Sequence, residues 1–376
     1  GVTLKMQVLI LSCDTGEGHN AAAKAIENAL IKRNHKVTLI NIFKLHSDTT
    51  AHIIGDTYVK IVSKNPNFFK LLYQLGTNVD SLPGNSPIYY VNSLMAKDLE
   101  NYLNKHHFDC IVTPHLYAAE TLTYLKRKGK LSIPTIGIAT DYTCIPFFGE
   151  TDLDYCVIPD ESLIKEFTEK GINPEKIKPY GIPVDNEYRK KVDTKQAKIK
   201  LGLPDQKCCL IMGGSMGYGH IEELVNQLLN RPEMIQLVVI TGKNEILYQK
   251  LKEEFKDKNN VKVLGFTDKV NEYMDASDVI FTKPGGLTST EALVKNKPLV
   301  FTNPIPGCET FNRNFFTKRK IAYSADSTID QATLGLYLLS DEEKREQLLG
   351  NQQKYAKPDA ADKISTLVEQ VGKGNR

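Results

Sequence analysis

Short, uniformly apolar runs rich in β-branched residues recur along this chain, each closing on a loop with Gly, Pro, Ser or Asn. That alternation restricts the fold more than any other feature. Met6–Ser12 is the first run; alanines with Ile26, Leu30 and Ile31 at helical spacing follow from Asn20 to about Arg33, and Val37–Ile42 is the next run. The opening is therefore βαβ. Further strands are expected at Phe108–Thr113, Pro134–Thr140 and Tyr155–Ile158, with helical patterns near Tyr90–Lys105, Leu116–Arg127 and Glu161–Lys170. Runs that stay apolar at every position, with no in–out alternation, are strands covered on both faces, which is the habit of a parallel α/β sheet.

Ile177–Tyr180 ends this first series. A Gly181-Ile182-Pro183-Val184-Asp185 turn and the charged stretch Arg189–Lys195 come next, a composition suited to a domain boundary. The alternation then restarts, with strands expected at Lys207–Met212, Gln236–Thr241, Val261–Gly265, Val279–Thr282 and Leu299–Thr302. The expectation is two doubly wound, Rossmann-like domains, residues 1–182 and 183–376, facing across a cleft, with the last helix packing back on the first. A chain of 376 residues is long enough for two such cores.

Composition sets limits. With 41% hydrophobic and 25% charged residues the chain is that of a soluble globular protein. No apolar run approaches the roughly 18–20 residues that span a bilayer. Gly1-Val2-Thr3-Leu4-Lys5-Met6 has no signal-peptide core, and Met6 is expected to be the natural initiator. The seven cysteines are odd in number and form no C-x-x-C pair, which fits a reduced cytosolic protein without structural zinc. A formal charge of +3 is too weak to argue for nucleic acid. Residues 43–90 contain no clear strand but include Phe68-Phe69-Lys70-Leu71-Leu72-Tyr73-Gln74-Leu75. This crowded apolar piece suits either an ordinary packed helix or an interfacial one docking on a membrane.

Four loops fall where open α/β sheets bind ligands, after the carboxyl ends of strands. Ser12–Asn20 holds Gly16, Gly18 and His19; the adjoining helix start disfavours an imidazolium there, leaving a neutral ring suited to accept a proton or simply to help cap the helix. No third glycine completes a dinucleotide fingerprint. Gly213-Gly214-Ser215-Met216-Gly217-Tyr218-Gly219-His220 is a nest of backbone amides for a diphosphate, and it lacks the Gly-Lys-Ser/Thr ending of a P-loop. Lys283-Pro284-Gly285-Gly286-Leu287-Thr288-Ser289-Thr290-Glu291 puts two glycines at a strand-to-helix turn, with Glu291 expected in the first helical turn. Thr288-x-x-Glu291 fits a capping box as well as a ribose-binding glutamate. Thr302–Asn312, stiffened by Pro304 and Pro306, offers Glu309, Thr310 and Asn312 to sugar hydroxyls, or Glu309 to the dipole of its helix.

Singly these loops are weak signals; their order is specific. Gly16-Glu17-Gly18-His19-Asn20-Ala21-Ala22, then a glycine nest, a GG-x-T-x-x-E element and Pro304-Ile305-Pro306-Gly307-x-Glu309, resemble the GT-B glycosyltransferases. More closely, the chain resembles the lipid glycosyltransferases of the monogalactosyldiacylglycerol synthase type, including the diacylglycerol glucosyltransferases of bacteria. The resemblance covers nearly the whole chain. It implies an inverting hexosyl transfer from a UDP-sugar to a diacylglycerol-type hydroxyl, with no metal or other cofactor. It implies that His19, helped by Asp141, deprotonates the acceptor, with Gly18, His115, Phe68 and Phe69 on the acceptor side. It implies donor contacts from Gly213, Gly214 and Ser215 to diphosphate, from Gly286, Thr288 and Glu291 toward ribose, from the Phe266 backbone to uracil, and from Glu309 and Thr310 to the sugar.

The read-out departs from the family at Cys308 and Thr310, where plant enzymes carry a glutamine and an acidic residue, so glucose and galactose both stay open as the hexose. Asp141, after a strand, also suits a simple turn. Asp152-x-Asp154 lies in a strand lead-in, far from the glycine nest, not where a metal-bound diphosphate would need it. A location on the inner face of the cell membrane, peripheral and in contact with anionic lipid, is expected. Three other readings share the architecture: a UDP-N-acetylglucosamine transferase to a polyprenyl-linked acceptor, a UDP-sugar 2-epimerase, and a UDP-sugar-binding sensor.

Overall fold

The computed structural model describes residues 4–13, 17–45, 86–213 and 218–374. The chain divides into two compact units, Gly1–Asn186 with Pro306–Cys308 and Lys357–Arg376, and Glu187–Ile305 with Glu309–Ala356. The change of unit in mid-chain falls four residues beyond the boundary expected from the Gly-Ile-Pro turn.

The first unit is built on six parallel strands: β1 (Gln7–Ser12), β2 (Lys36–Asn41), β3 (Cys110–Thr113), β4 (Thr135–Ile138), β5 (Tyr155–Val157) and β6 (Ile177–Lys178), in the order β2-β1-β3-β4-β5-β6. Alternation along β1 shows why the run had to be apolar throughout. Val8 and Ile10 join Ala23, Ile26 and Leu30 of the helix Glu17–Lys32 on one face, while Leu9 and Leu11 join Phe43, Leu99, Tyr117 and Leu122 on the other. Both faces are covered, so neither set tolerates a charge.

The last helix, Ala360–Lys373, belongs to this unit, adding Ile364, Leu367 and Val368 to the face beneath β1. Polar contacts hold it there. His35 accepts from the Met6 amide through Nδ1 at 3.1 Å and meets Glu369 through Nε2 at 3.0 Å. Gly181 has a φ of +104°, and a Cβ at that position would stand 2.8 Å from the Lys357 Cβ. The Gly-Ile-Pro turn is thus a packing site for the returning chain as well as a boundary.

The second unit also has six parallel strands: β7 (Lys207–Met212), β8 (Ile235–Ile240), β9 (Val261–Leu264), β10 (Val279–Thr282), β11 (Leu299–Phe301) and β12 (Tyr323–Ser324). Their order, β12-β11-β10-β7-β8-β9, is the Rossmann order counted from β7. Its core joins Ile211, Leu237, Val239 and Phe281 to Ile221, Leu224, Val225 and Leu336 of the covering helices.

Three expectations needed correction. The first helix starts at Glu17, three residues before the Asn20 start expected, so Gly18 and His19 sit in its opening turn. The pattern over 90–105 breaks into helices Pro87–Asn92 and Ala96–Lys105. The two-residue β12 escaped notice because Tyr323–Ser324 is too short to show a pattern. Phe68 and Phe69, with most of the 43–90 insertion, lie outside the described residues.

Candidate active site

In an open α/β sheet, ligands bind at the carboxyl edge where the strand order reverses, because loops leaving in opposite directions open a crevice there. In the first unit that reversal falls between β1 and β3, and in the second between β7 and β10. The four loops singled out from sequence leave β1, β7, β10 and β11 at these edges. Thr282 is in register with Met212 and Phe301, so the second-unit loops depart level with one another.

In the first unit, His19 is in the first turn of the helix after β1, and residues 14–16 lie outside the described residues. After β3 comes His115, buried, as N-cap of the helix Leu116–Arg127; its Nδ1 accepts from the Tyr117 amide at 3.1 Å. An accepting Nδ1 puts the proton of a neutral ring on Nε2. After β4, Asp141 is half-buried at the rim of an apolar notch of about 10 Å³, walled by Pro114, Leu116, Phe148 and Phe167. That volume admits about one water-sized group and no acyl chain.

The loop bearing Asp141 is braced by a residue that sequence reasoning missed. Glu166 accepts from Thr143 Oγ1 at 3.1 Å and from the Cys144 amide at 2.8 Å. Nothing in the sequence distinguishes Glu166 from the other charges of its helix, since its partners are remote in the chain.

In the second unit, the Gly213 amide is bonded to the Ile240 carbonyl at 2.9 Å. That N–H completes the sheet and is not free for a ligand; Gly214 and Ser215 lie outside the described residues. Phe266 follows β9 with 71% of its surface exposed, its ring 5.8 Å from Lys243 Nζ.

The element after β10 differs from expectation in an instructive way. The helix runs Gly286–Lys295, its N-cap is the extended Gly285, and no side chain caps it. Thr288 is therefore the third helical residue, and the capping-box reading of Thr288-x-x-Glu291 fails because the helix has already begun. Glu291 lies in the second turn, half-buried. A Cβ built on Gly285 would meet nothing within 4 Å. With φ at −73° as well, the fold itself makes no demand for glycine there. What the turn presents, among the described residues, is a helix N-terminus without a side-chain cap and open room beside the Gly285 backbone.

After β11, Glu309 stands in the first turn of the helix Cys308–Lys318. Its Oε2 meets Lys283 Nζ at 2.7 Å, and its Oε1 accepts from the Ile305 amide at 2.9 Å. One turn on, Asn312 is fully buried and donates Nδ2 to the Pro284 carbonyl at 3.0 Å. Asn312 thus serves the scaffold and not a sugar hydroxyl. Residues 309 and 312 share a helix face, so both pin the same Lys283-Pro284 turn. Thr310, between them, is half-buried. Lys283 is the second residue that sequence reading passed over, although it opens the motif.

Other polar clusters stand apart from these edges. Asp152 pairs with Lys176 at 2.9 Å, and Asp154 accepts from the Thr135 amide at 2.8 Å. Beside them, near the amino ends of β5 and β6, opens a cavity of about 160 Å³ lined by Arg127, Asp152, Asn173 and Lys176.

Two family models account for most of the chain. Residues 19–184 match monogalactosyldiacylglycerol (MGDG) synthase, and residues 208–364 match the glycosyltransferase family 28 C-terminal domain. The chain belongs to the GT-B glycosyltransferases of the monogalactosyldiacylglycerol synthase type. The processive diacylglycerol β-glucosyltransferase of Bacillus licheniformis is 29% identical over 92% of this chain and 89% of its own. The Bacillus subtilis protein of the same name is 27% identical over 90% and 88%. Solved structures share the fold at much lower identity. Acinetobacter baumannii MurG superposes with a TM-score of 0.62 at 12% identity, covering 98% of this chain and 100% of that one. MnaA of S. aureus bound to UDP gives 0.65 at 13%, covering 96% and 95%.

Proposed function

We propose that this enzyme transfers glucose from UDP-glucose to the hydroxyl of diacylglycerol, and again to the glucosyl-diacylglycerol so formed, with inversion at the anomeric carbon. The observation that carries this reading is the near full-length match to diacylglycerol β-glucosyltransferases, which also favours glucose over galactose. The geometry supports it: His115 and Asp141 stand after strands at the carboxyl edge of the first sheet, and a helix end without a side-chain cap stands with two carboxylates at that of the second.

On this reading His19, helped by Asp141, takes the proton of the lipid hydroxyl as its oxygen attacks the anomeric carbon and the bond to the diphosphate breaks. The departing UDP is stabilised by backbone amides after β7 and β10 and by the helix ends behind them, with no metal required. Glu291 holds the ribose hydroxyls, Phe266 the uracil through its backbone, and Glu309 and Thr310 the hexose. Among the described residues no helix is long and apolar enough to cross a membrane. Access to the lipid is then peripheral, through the sequence around Phe68 and Phe69, on a membrane bearing anionic lipid.

Incubation with radiolabelled UDP-glucose, UDP-galactose or UDP-N-acetylglucosamine and diacylglycerol vesicles tests reaction, donor and acceptor together. Label from UDP-glucose should enter the lipid phase, first as a one-sugar and then as a two-sugar product. His19→Ala should abolish transfer while UDP still binds; near-normal turnover would remove His19 from its role. Equal recovery of Phe68→Ser/Phe69→Ser protein on anionic liposomes would count against the membrane contact.

A further inference from the structure

Lys283, in the loop after β10, and Glu309, in the first helical turn after the neighbouring β11, meet at 2.7 Å at the ligand edge of the sheet. Their side chains are 29% and 12% exposed. The contact is thus neither a solvated surface pair nor a core one. At the surface or half-buried, an ion pair is weak evidence of a stabilising role, so folding alone gives little reason to hold a lysine there.

The carboxylate of Glu309 is fixed from both sides. Pro304 and Pro306 have no N–H, so Ile305 carries the one backbone donor between them, and that donor is bound to Glu309 Oε1. Lys283 holds Oε2. A carboxylate has about four acceptor directions, so two remain, and the Lys283 and Ile305 contacts set the plane in which they lie. Glucose and galactose differ only in whether the C4 hydroxyl is equatorial or axial. A carboxylate of fixed plane separates these epimers; one free to rotate accepts either.

We infer that Lys283 is a positioning residue for the donor hexose: by fixing the carboxylate plane of Glu309 it makes the enzyme discriminate between C4-epimeric UDP-hexoses. This rests on the reading of Glu309 as a sugar contact given above. Lys283 acts through Glu309 and makes no bond to the diphosphate.

The test uses the full chain with Lys283→Met and Lys283→Arg, in steady-state transfer to diacylglycerol and in calorimetric binding of UDP, UDP-glucose and UDP-galactose. For Lys283→Met the KM for UDP-glucose should rise by about tenfold, the size of one charge-assisted hydrogen bond, with kcat changed far less. The preference for glucose over galactose should shrink by about the same factor, while UDP alone binds within about twofold of wild type. Lys283→Arg should restore most of the preference. An unchanged preference in Lys283→Met overturns the inference. So does a loss of UDP affinity in step with UDP-glucose, which would put the lysine on the diphosphate. If the wild type binds UDP-hexoses yet labels no lipid, the proposed reaction fails while the binding preferences still decide the role of Lys283.

Discussion

The helix that carries Glu291 is anchored at its far end by a buried ion pair, and breaking that pair should be felt at both stability and donor affinity. Lys295, the last residue of Gly286–Lys295, has a fully buried side chain. Its ammonium donates to both Asp275 oxygens at 3.0 Å and to the Lys190 carbonyl at 2.6 Å. Burial pushes its pKa below the ordinary lysine range, and Asp275 offsets only part of that. Asp275→Asn leaves a buried ammonium with a neutral amide oxygen and the Lys190 carbonyl. Removing one partner of a buried pair costs about 3–5 kcal/mol, and with two acceptors left the lower end, about 3 kcal/mol, is expected. For a unit of this size that is about 6–12 °C in melting temperature. Lys295→Met with Asp275→Leu removes both charges and should recover most of the loss, since apolar replacement of a buried pair is nearly neutral. Thermal melts of wild type, Asp275→Leu, Lys295→Met and the double variant, with and without UDP, give the coupling energy. A single variant melting within 2 °C of wild type, or a double variant no better than the single, would refute the argument.

Gly285→Ala should leave the melting temperature almost unchanged, because its Cβ meets nothing. It should weaken UDP binding by about tenfold if a ligand approaches that backbone; titration calorimetry separates the two effects. Glu166→Ala frees Thr143 and the Cys144 amide. Transfer to diacylglycerol should fall by about tenfold or more with the KM for UDP-glucose unmoved, as expected of a residue that acts through Asp141. Glu120 is fully buried, and burial together with a hydrogen bond to the Glu150 carboxylate pushes its pKa up to about 11. The folded state then holds a proton that the unfolded chain releases near pH 4. Its contribution is complete below that pH and is lost as pH rises toward 11, by at most about 1.4 kcal/mol per unit. Glu120→Gln should therefore gain on wild type as pH rises from 6 to 8, measured by paired melts.

The strands were legible because both faces of each sheet are covered: runs such as Gln7–Ser12 and Lys207–Met212 have no polar face to blur them. Loop positions followed, since a βα unit must leave its strand at the carboxyl edge. The switch points were not legible, because strand order is a property of pairing between distant segments, as between Val8 and Cys110. For the same reason Glu166 and Lys283 were missed, their partners lying 22 and 26 residues away. Helix starts failed differently. Glu17-Gly18-His19 and Gly286-Leu287-Thr288 contain glycine, a poor helix former, yet both helices start there.

That earlier start matters to the proposed chemistry. Had Thr288 capped the helix, its hydroxyl would have occupied the N-terminal amides, and Glu291 would have stood in the first turn as a negative charge beside an anionic diphosphate. Beginning at Gly286, the helix leaves those amides uncapped and sets Glu291 five residues on, about 7.5 Å along the axis. On the proposed reading the positive end of the dipole is left to the diphosphate, with the carboxylate held more than a turn away from it. The second carboxylate, Glu309, does lie in a first turn, and it is the one that has Lys283 against it. On that reading one acid stands a helical turn away from the anion, and the charge of the other is offset by the ammonium it binds. Such a site can hold ribose and hexose by carboxylates without weakening its grip on the phosphates between them.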